Sequence, residues 1–513
     1  MQNFKCGALG EWAPRHVRLL LIIFAAALIA KGGVILRGFA VDDYLFGQGF
    51  STEELRVFLT QGRFLHGGID WFINALGVNI SDLYISLGIC ALFLQAALVT
   101  SILRFVGAAD FSLSALIGAA IVSHPYLAEI LTFRMVLPGY CVATILSIVA
   151  LEMTAKKSMT LGDCIVALAA TVAMLFVYQG FLNLFAVAVV FAFLFDQLSK
   201  VRSAPTLSRH VVHPKRVIVL SLVCLMSAVL FLTTIAASKA LGLVALTGRA
   251  NFIELSSVSE RATQIAALLQ RIYWMSEPIV PHWIKVLIAA MILFVVALVC
   301  AEMRSEQLTR KSVIWKLVAG VCAVVLLIPI TVGVILPFKD WWPVPRVLAQ
   351  VPFIIGLFLL LAAPAVQRKQ ATILKRMLTV SISILVVCFV FISNQVFADQ
   401  QRLNSWDKER ANRIVSRLEQ SPNFSEIKSI YLSDGAWGYP ARLNTLQGDM
   451  NISAFAPEYS RVSLMLEASG YSFKKATGDL VSIGMAYCKN HRPWPHVDSV
   501  SVVGELAVVC LSN

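Results

Sequence analysis

The stretch VRLLLIIFAAALIAKGGVILR, residues 17–37, decides the fold. A helix needs roughly 20 mostly apolar residues to cross the hydrocarbon core of a bilayer, and this stretch supplies them. Ten more stretches of the same character follow, near 83–105, 111–130, 136–154, 162–177, 181–198, 217–237, 283–300, 316–336, 347–363 and 377–397. The chain as a whole agrees. Of its 513 residues 58% are apolar and only 14% charged, and the mean hydropathy is +0.76. A soluble globular chain is nearer half apolar and a quarter charged. The composition excludes a cytosolic enzyme, a disordered chain and a disulfide-stapled mini-protein. The expected fold class is an α-helical polytopic membrane protein of about eleven transmembrane helices. Arg15 and Arg18 before the first stretch also suit a signal peptide, but its length and the spans that follow favour an uncleaved first span. Lys31 within it is expected to snorkel outward, with cavity lining as the alternative.

Orientation follows from the loops, because Lys and Arg are retained on the cytoplasmic side. With the N-terminus inside, the short inner loops hold nineteen Lys and Arg, and the longer outer loops eleven. The net charge of +13 is thereby mostly a topology signal, and no nucleic-acid partner is expected. Eleven spans put residues 398–513 outside, as a small exported α/β domain after a membrane domain of residues 1–397. Ile414, Val415 and Leu418 recur at helical spacing, while IKSIYLS, DLVSIGMAY, VDSVSVV and ELAVVCLS read as strands, the last two as a hairpin turning at Gly504–Glu505. The ten cysteines show no CxxC or Cys/His ligand spacing. Cys488 and Cys510 fall in the exported segment, where a disulfide competes with two free buried thiols.

Polar chemistry gathers in the outer loops. The first reads GFAVDDYLFGQGFSTEELRVFLTQGRFLHGGIDWFINALGVN, residues 38–79. Asp42 and Asp43 stand a few residues beyond the first span. Ser51 with Glu54 forms a capping box. Leu55, Phe58 and Leu59, then Ile69, Phe72, Ile73 and Leu76, mark two short amphipathic helices lying in the interface, with Arg63 and His66 between. The second loop brings His124, Glu129 and Arg134, and the third turns at Tyr178–Gln179. The fourth carries Ile265, Leu268, Leu269 and Ile272 on one helical face and ends at Trp274, Glu277 and His282. The fifth packs Lys339, Asp340, Trp341, Trp342 and Arg346 into ten residues. Carboxylates at a membrane face are costly to desolvate and seldom needed for packing. Such acids can act as general base toward a hydroxyl, Arg and Lys can neutralise a phosphate, and Trp and Tyr can stack on a sugar. The bland readings stand beside these: solvated loop acids for Asp42 and Asp43, a structural Glu129–Arg134 ion pair, an aromatic belt around Trp341, and hydrogen-bonded structural roles for His66, His124 and His282.

The segments VDDYLFGQGF and TQGRFLHGGIDWF after a first span resemble the bacterial membrane glucosyltransferases that modify O-antigen, the glucosyl transferase type II family; PYLAEILTFR, VYQGF and PFKDWWPVPR sit where such proteins keep polar outer-loop residues. The likeness covers roughly the first 400 residues. It implies a GT-C-like architecture in the bacterial inner membrane, a polyprenyl-phosphate-linked sugar donor made by a separate synthase and flipped across the membrane, and a lipopolysaccharide O-antigen or related glycan as acceptor. By the same likeness Asp42 and Asp43 are the candidate base or metal-binding acids, holding Mg²⁺ or Mn²⁺ in the second case. Arg63, Glu129, Arg134, Tyr178, Gln179, Lys339 and Arg346 are carried over as binding residues. His66, Asp340 and Trp341 join them from the loop reading. The rival functions are a lipid or lipid-linked glycan transporter, an O-antigen ligase or polymerase, and a lipid A sugar transferase. No Walker A, HExxH, GxSxG or GxGxxG signature stands out.

Overall fold

A computed structural model describes residues 14–46, 52–108, 110–156, 158–199, 214–243, 251–305, 310–366, 372–434, 439–440, 442–447 and 450–511. All eleven apolar stretches are helical. They lie in α1 (Pro14–Lys31), α4 (Tyr84–Phe105), α5 (Phe111–Ser123) with α6 (Tyr126–Thr132), α7 (Leu137–Ala155), α8 (Leu161–Val177), α9 (Phe181–Ser199), α10 (Pro214–Ala240), α12 (His282–Ser305), α13 (Arg310–Val332), α14 (Gln350–Leu360) and α16 (Thr372–Glu419). Seven are long and apolar enough to cross a membrane, and an eighth candidate is the α5–α6 pair, bent by 51°. The bend falls at His124–Pro125. The residue before a proline is pushed out of the helical region, and His124 is extended there. The helices of 161–177, 181–197 and 345–360 are shorter than a full span.

Lys31 does not snorkel. It is wholly buried, and its ammonium donates to Gln95 Oε1 at 3.2 Å, while Gln95 Nε2 donates to the Tyr140 hydroxyl at 3.0 Å. A buried cation is tolerable only with polar partners, and α4 and α7 provide them.

Between the long helices lie α2 (Thr52–Thr60), α3 (Phe64–Ala75), α11 (Val258–Tyr273) and the single turn α15 (Ala363–Val366). The helices α2, α3 and α11 are the expected amphipathic ones; Ser51 of the capping box lies outside the described residues. Leu268 and Ile272 of α11 are buried as their spacing requires, and α3 turns Trp71 and Phe72 outward, as a helix floating in an interface does.

Helix α16 has 48 residues, about 70 Å at 1.5 Å per residue, more than twice a bilayer core of roughly 30 Å. It runs unbroken through 397–398, where the sequence suggests a boundary, and its last turns bury Ala411, Ile414, Val415 and Leu418 against the C-terminal segment. That segment forms a four-stranded sheet, order β2-β1-β4-β3, from β1 (Ser429–Leu432), β2 (Lys474–Lys475), β3 (Val500–Val503) and β4 (Leu506–Val509). β1 is parallel to β2 and β4, and β3–β4 is the expected hairpin. Burial alternates along β1. Ile430 and Leu432 face α16 and α17 (Glu458–Ser469), and Tyr431 faces α18 (Asp479–Asn490).

Residues 479–487 are a helix, not the strand that their apolar run suggests. Leu480, Val481, Tyr487 and Cys488 fall on one helical face and close over Leu506, Val508 and Cys510. Gly484 lets this happen, because a Cβ there would lie 2.3 Å from the Tyr431 ring. Cys488 and Cys510 are disulfide-bonded, joining α18 to the segment after β4 across 22 residues. Closing a loop of that size restricts the unfolded chain by about 3 kcal/mol. Cys488→Ser is accordingly expected to expose the C-terminal segment to limited proteolysis at temperatures the wild type resists. Equal cleavage rates would contradict it.

Candidate functional site

The chain leaves α1 through a single turn, Gly32–Ile35, runs extended to Ala40 and turns again at Val41–Phe46, which carries the acidic pair. Its exit is locked by two buried side chains. Arg134 donates Nε to Gly38 O at 2.9 Å, and its other nitrogens bond the carbonyls of Val34 and Leu36. Asp43 has no exposed surface; it accepts from Ala40 N at 2.8 Å and Met135 N at 2.9 Å. Burial pushes its carboxyl up to about 7, against the opposing pull of those N–H groups and of Arg134. Both residues therefore stitch the exit of the first span to the entry of α7.

Asp42 points elsewhere. It is half-buried and accepts from the Tyr459 hydroxyl of α17 at 2.6 Å. The same loop is zipped to α16 by Asn404, which bonds both Phe39 N and Phe39 O, while Phe39 and Tyr44 pack in the apolar cluster of the C-terminal segment. The acidic pair thus lies where the membrane helices meet that segment.

A second centre gathers residues far apart in the chain. A cleft of about 870 Å³, open solvent included, is lined by Arg63, Tyr178, Gln179, Asp340, Trp342 and Arg346, with Phe231 and Ile235 of α10. Arg63 ends the α2–α3 turn and sits over the Tyr178 ring, 5.1 Å from its centroid. Tyr178 and Gln179 come from the break after α8, and Gln179 Nε2 reaches Gln61 O at 3.4 Å. The loop 337–349 supplies the rest and is held in place from two sides. Arg261 and Arg271 of α11 donate to the carbonyls of Phe338, Lys339 and Pro343 at 2.7–3.0 Å. Glu129, fully buried on α6, accepts from the Arg346 side chain at 2.8 Å and from its backbone N–H. Glu129 therefore pairs with Arg346, and the structural Glu129–Arg134 ion pair weighed as the alternative to a site role is not formed.

The remaining expected residues divide. Trp341 lies under Arg261, 4.6 Å from guanidinium to ring, and Lys339 is exposed, 3.8 Å from Glu254; neither lines the cleft. His124 accepts from Tyr126 N and packs on Phe389, and His282 bonds Trp274 O, both structural arrangements. His66 is fully buried beside Asp70, one helical turn on, at 3.5 Å. Burial, then the nearby Arg63 charge, pushes its imidazole down to about 3, and burial raises Asp70 well above the carboxylate range. The two side chains lie against each other, out of solvent, on one face of α3. Gly139 of α7 admits them, since a Cβ there would lie 2.7 Å from His66 Nε2.

Asp70 escaped the sequence reading, though its i, i+4 spacing from His66 was the available signal. Also missed was the hub at Glu277, which binds the Tyr126 hydroxyl at 2.8 Å, Lys285 at 2.9 Å and Gln447 of the C-terminal segment at 2.9 Å. Among the described residues no three His, Cys, Asp or Glu side chains group to hold a metal.

The profile of the family described as Glucosyl transferase GtrII matches residues 39–363. The chain belongs to this family. It is a membrane glucosyltransferase family member whose match begins at the acidic loop and ends before α16. The acidic turn and the residues lining the cleft lie within the match, whereas the first-span exit before residue 39 and the C-terminal sheet lie outside it. No curated protein and no solved structure matches the chain.

Proposed function

We propose that this protein moves glucose from a polyprenyl-phosphate donor to a hydroxyl of O-antigen or a related glycan, on the exported face of the bacterial inner membrane. The observation that carries the reading is the cleft, where two guanidiniums, a carboxylate, two amides and aromatic side chains converge from three separate loops. Arginine suits phosphate because its fork donates paired hydrogen bonds and stays charged. Arg63 and Arg346 are assigned to the donor phosphate, with Tyr178 and Trp342 flanking the sugar. The acceptor oxygen bonds to the anomeric carbon as the bond from that carbon to the phosphate oxygen breaks. The departing polyprenyl phosphate keeps the electron pair, and a carboxylate takes the acceptor proton. Asp42 is the proposed base, and Asp43 positions its loop. A single displacement inverts the anomeric centre. Sugar nucleotides are confined to the cytoplasm, so the donor must come from a synthase and a flippase acting earlier. The C-terminal segment is assigned to the same exported side.

The test is reconstitution in liposomes with polyprenyl-phosphate glucose and O-polysaccharide, followed by mass spectrometry of the polymer. A hexose increment is expected. An unmodified polymer together with redistribution of the lipid-linked sugar between leaflets would replace this reading by a transporter.

A further inference from the structure

We infer that the C-terminal sheet carries a binding subsite for an uncharged saccharide, the acceptor glycan, in the crevice at the carboxyl ends of β1 and β2. The inference rests on the transferase reading for the word acceptor; the site itself stands on geometry. The chain passes from β1 through α17 to β2 on one side, then through α18 to β3 and β4 on the other. α17 covers one face of the sheet and α18 the opposite face. Where the strand order reverses in this way, the two coverings part and leave a crevice beyond the carboxyl ends, the usual ligand position in open parallel sheets. Here a crevice of about 630 Å³, open solvent included, is lined by Tyr431, Asp434, Glu458, Arg461, Lys475 and Met485, among others.

The charges select the ligand class. Arg461 is buried, and its donors are spent on Phe455 O at 2.8 Å, Ala456 O at 2.8 Å and Asp434 Oδ1 at 3.0 Å. Lys475 Nζ lies 2.8 Å from Glu458 Oε1. Each cation is matched by a carboxylate, so the crevice has no surplus charge to neutralise a phosphate or a nucleotide. What it offers is a set of carboxylate acceptors and ammonium donors at the rim, with Tyr431 and Met485 as apolar surface. Alternating hydroxyls and C–H faces of a sugar match that combination.

Placement supports the assignment. Glu458, which lines the crevice, is followed directly by Tyr459, whose hydroxyl donates to Asp42 at 2.6 Å. The first turn of α17 thus contributes one residue to the crevice and the next to the hydrogen bond on the proposed base.

The experiment uses the full-length protein in nanodiscs and the variant Glu458→Gln/Lys475→Ala. Both side chains are at least half exposed, so the variant is expected to fold. Calorimetric titration with O-polysaccharide, released from lipopolysaccharide by mild acid, should show affinity at least ten-fold weaker in the variant, with titration of polyprenyl phosphate unchanged. In transfer assays the acceptor KM should rise by a similar factor at unaltered kcat. Equal polysaccharide affinity in wild type and variant, or a wild type that binds the lipid and not the polysaccharide, would overturn the subsite. A wild type that binds the polysaccharide at this crevice but neither binds the lipid nor transfers sugar would refute the transferase reading and leave the subsite standing.

Discussion

Arg63→Ala is expected to lower transfer, measured as kcat/KM for the lipid donor, by about 10²–10³-fold, the usual cost of removing one preorganised donor to developing charge. The change should leave the fold intact. Arg63 stands at the start of α3 and lies on the Tyr178 ring. Arg346→Ala is the less clean variant. It would strand Glu129, fully buried, without its cation, and such an orphaned charge costs about 3–5 kcal/mol. A proper comparison therefore pairs Arg63→Ala with Arg63→Lys, which keeps the charge and loses the fork. Partial recovery by lysine is expected if the ligand is a phosphate. Wild-type donor kinetics in Arg63→Ala would remove the cleft from the mechanism.

The second large effect separates the two neighbouring aspartates. Asp42→Asn keeps the size of the side chain and its contact with Tyr459 but removes the proton acceptor, so transfer should fall by at least about 10²-fold, the low end for a lost general base, while yield and insertion stay normal. Asp43→Ala should instead lower yield and thermal stability. It leaves two buried N–H groups, of Ala40 and Met135, without their acceptor, at about 1–3 kcal/mol each. Asp43→Asn adds a pH signature. In the folded protein this carboxyl is held near 7, against 3.8 in the open chain. Between those values the folded state keeps a proton that the unfolded state has lost, so this group's contribution to stability falls as pH rises from about 4 to 7. His66, pushed down to about 3, has the opposite slope, with stability falling as pH drops below its ordinary 6.5. The difference between Asp43→Asn and wild type cancels the histidine. It should move in favour of the variant as pH is raised from 5 to 7.5, read as the shift between two melting curves. A pH-independent difference would show that Asp43 is charged throughout.

Helical content was readable because long apolar runs leave few alternatives, and every such run became helix. Spans were less readable, because apolar length does not say whether a helix of 16 or 17 residues completes a crossing. The first loop was legible in its acids and its two amphipathic helices, since hydrophobic spacing is local. The partners of its charges were not. Glu129 finds Arg346 across 217 residues, and Asp42 finds Tyr459 across 417; no local pattern encodes such pairings. Lys31 looked like a snorkelling residue because its acceptor, Gln95, sits on another helix. The helix at 479–490 was mistaken for a strand because a run containing Val, Ile and Tyr suits both states. What separates them is Gly484 against Tyr431 and the tie of Cys488 to Cys510, both tertiary facts.

The central claim is that the lipid-linked sugar sits in the cleft between the α2–α3 turn, the break after α8 and the loop 337–349. Photo-crosslinking tests it most directly, with polyprenyl-phosphate glucose bearing a diazirine on the first isoprene unit, followed by peptide mapping. The account predicts labelled peptides containing Gln61–Arg63, Tyr178–Gly180 or Asp340–Val347, competed away by unlabelled polyprenyl phosphate. Competed labelling confined to other segments, with these three unmarked, would contradict it.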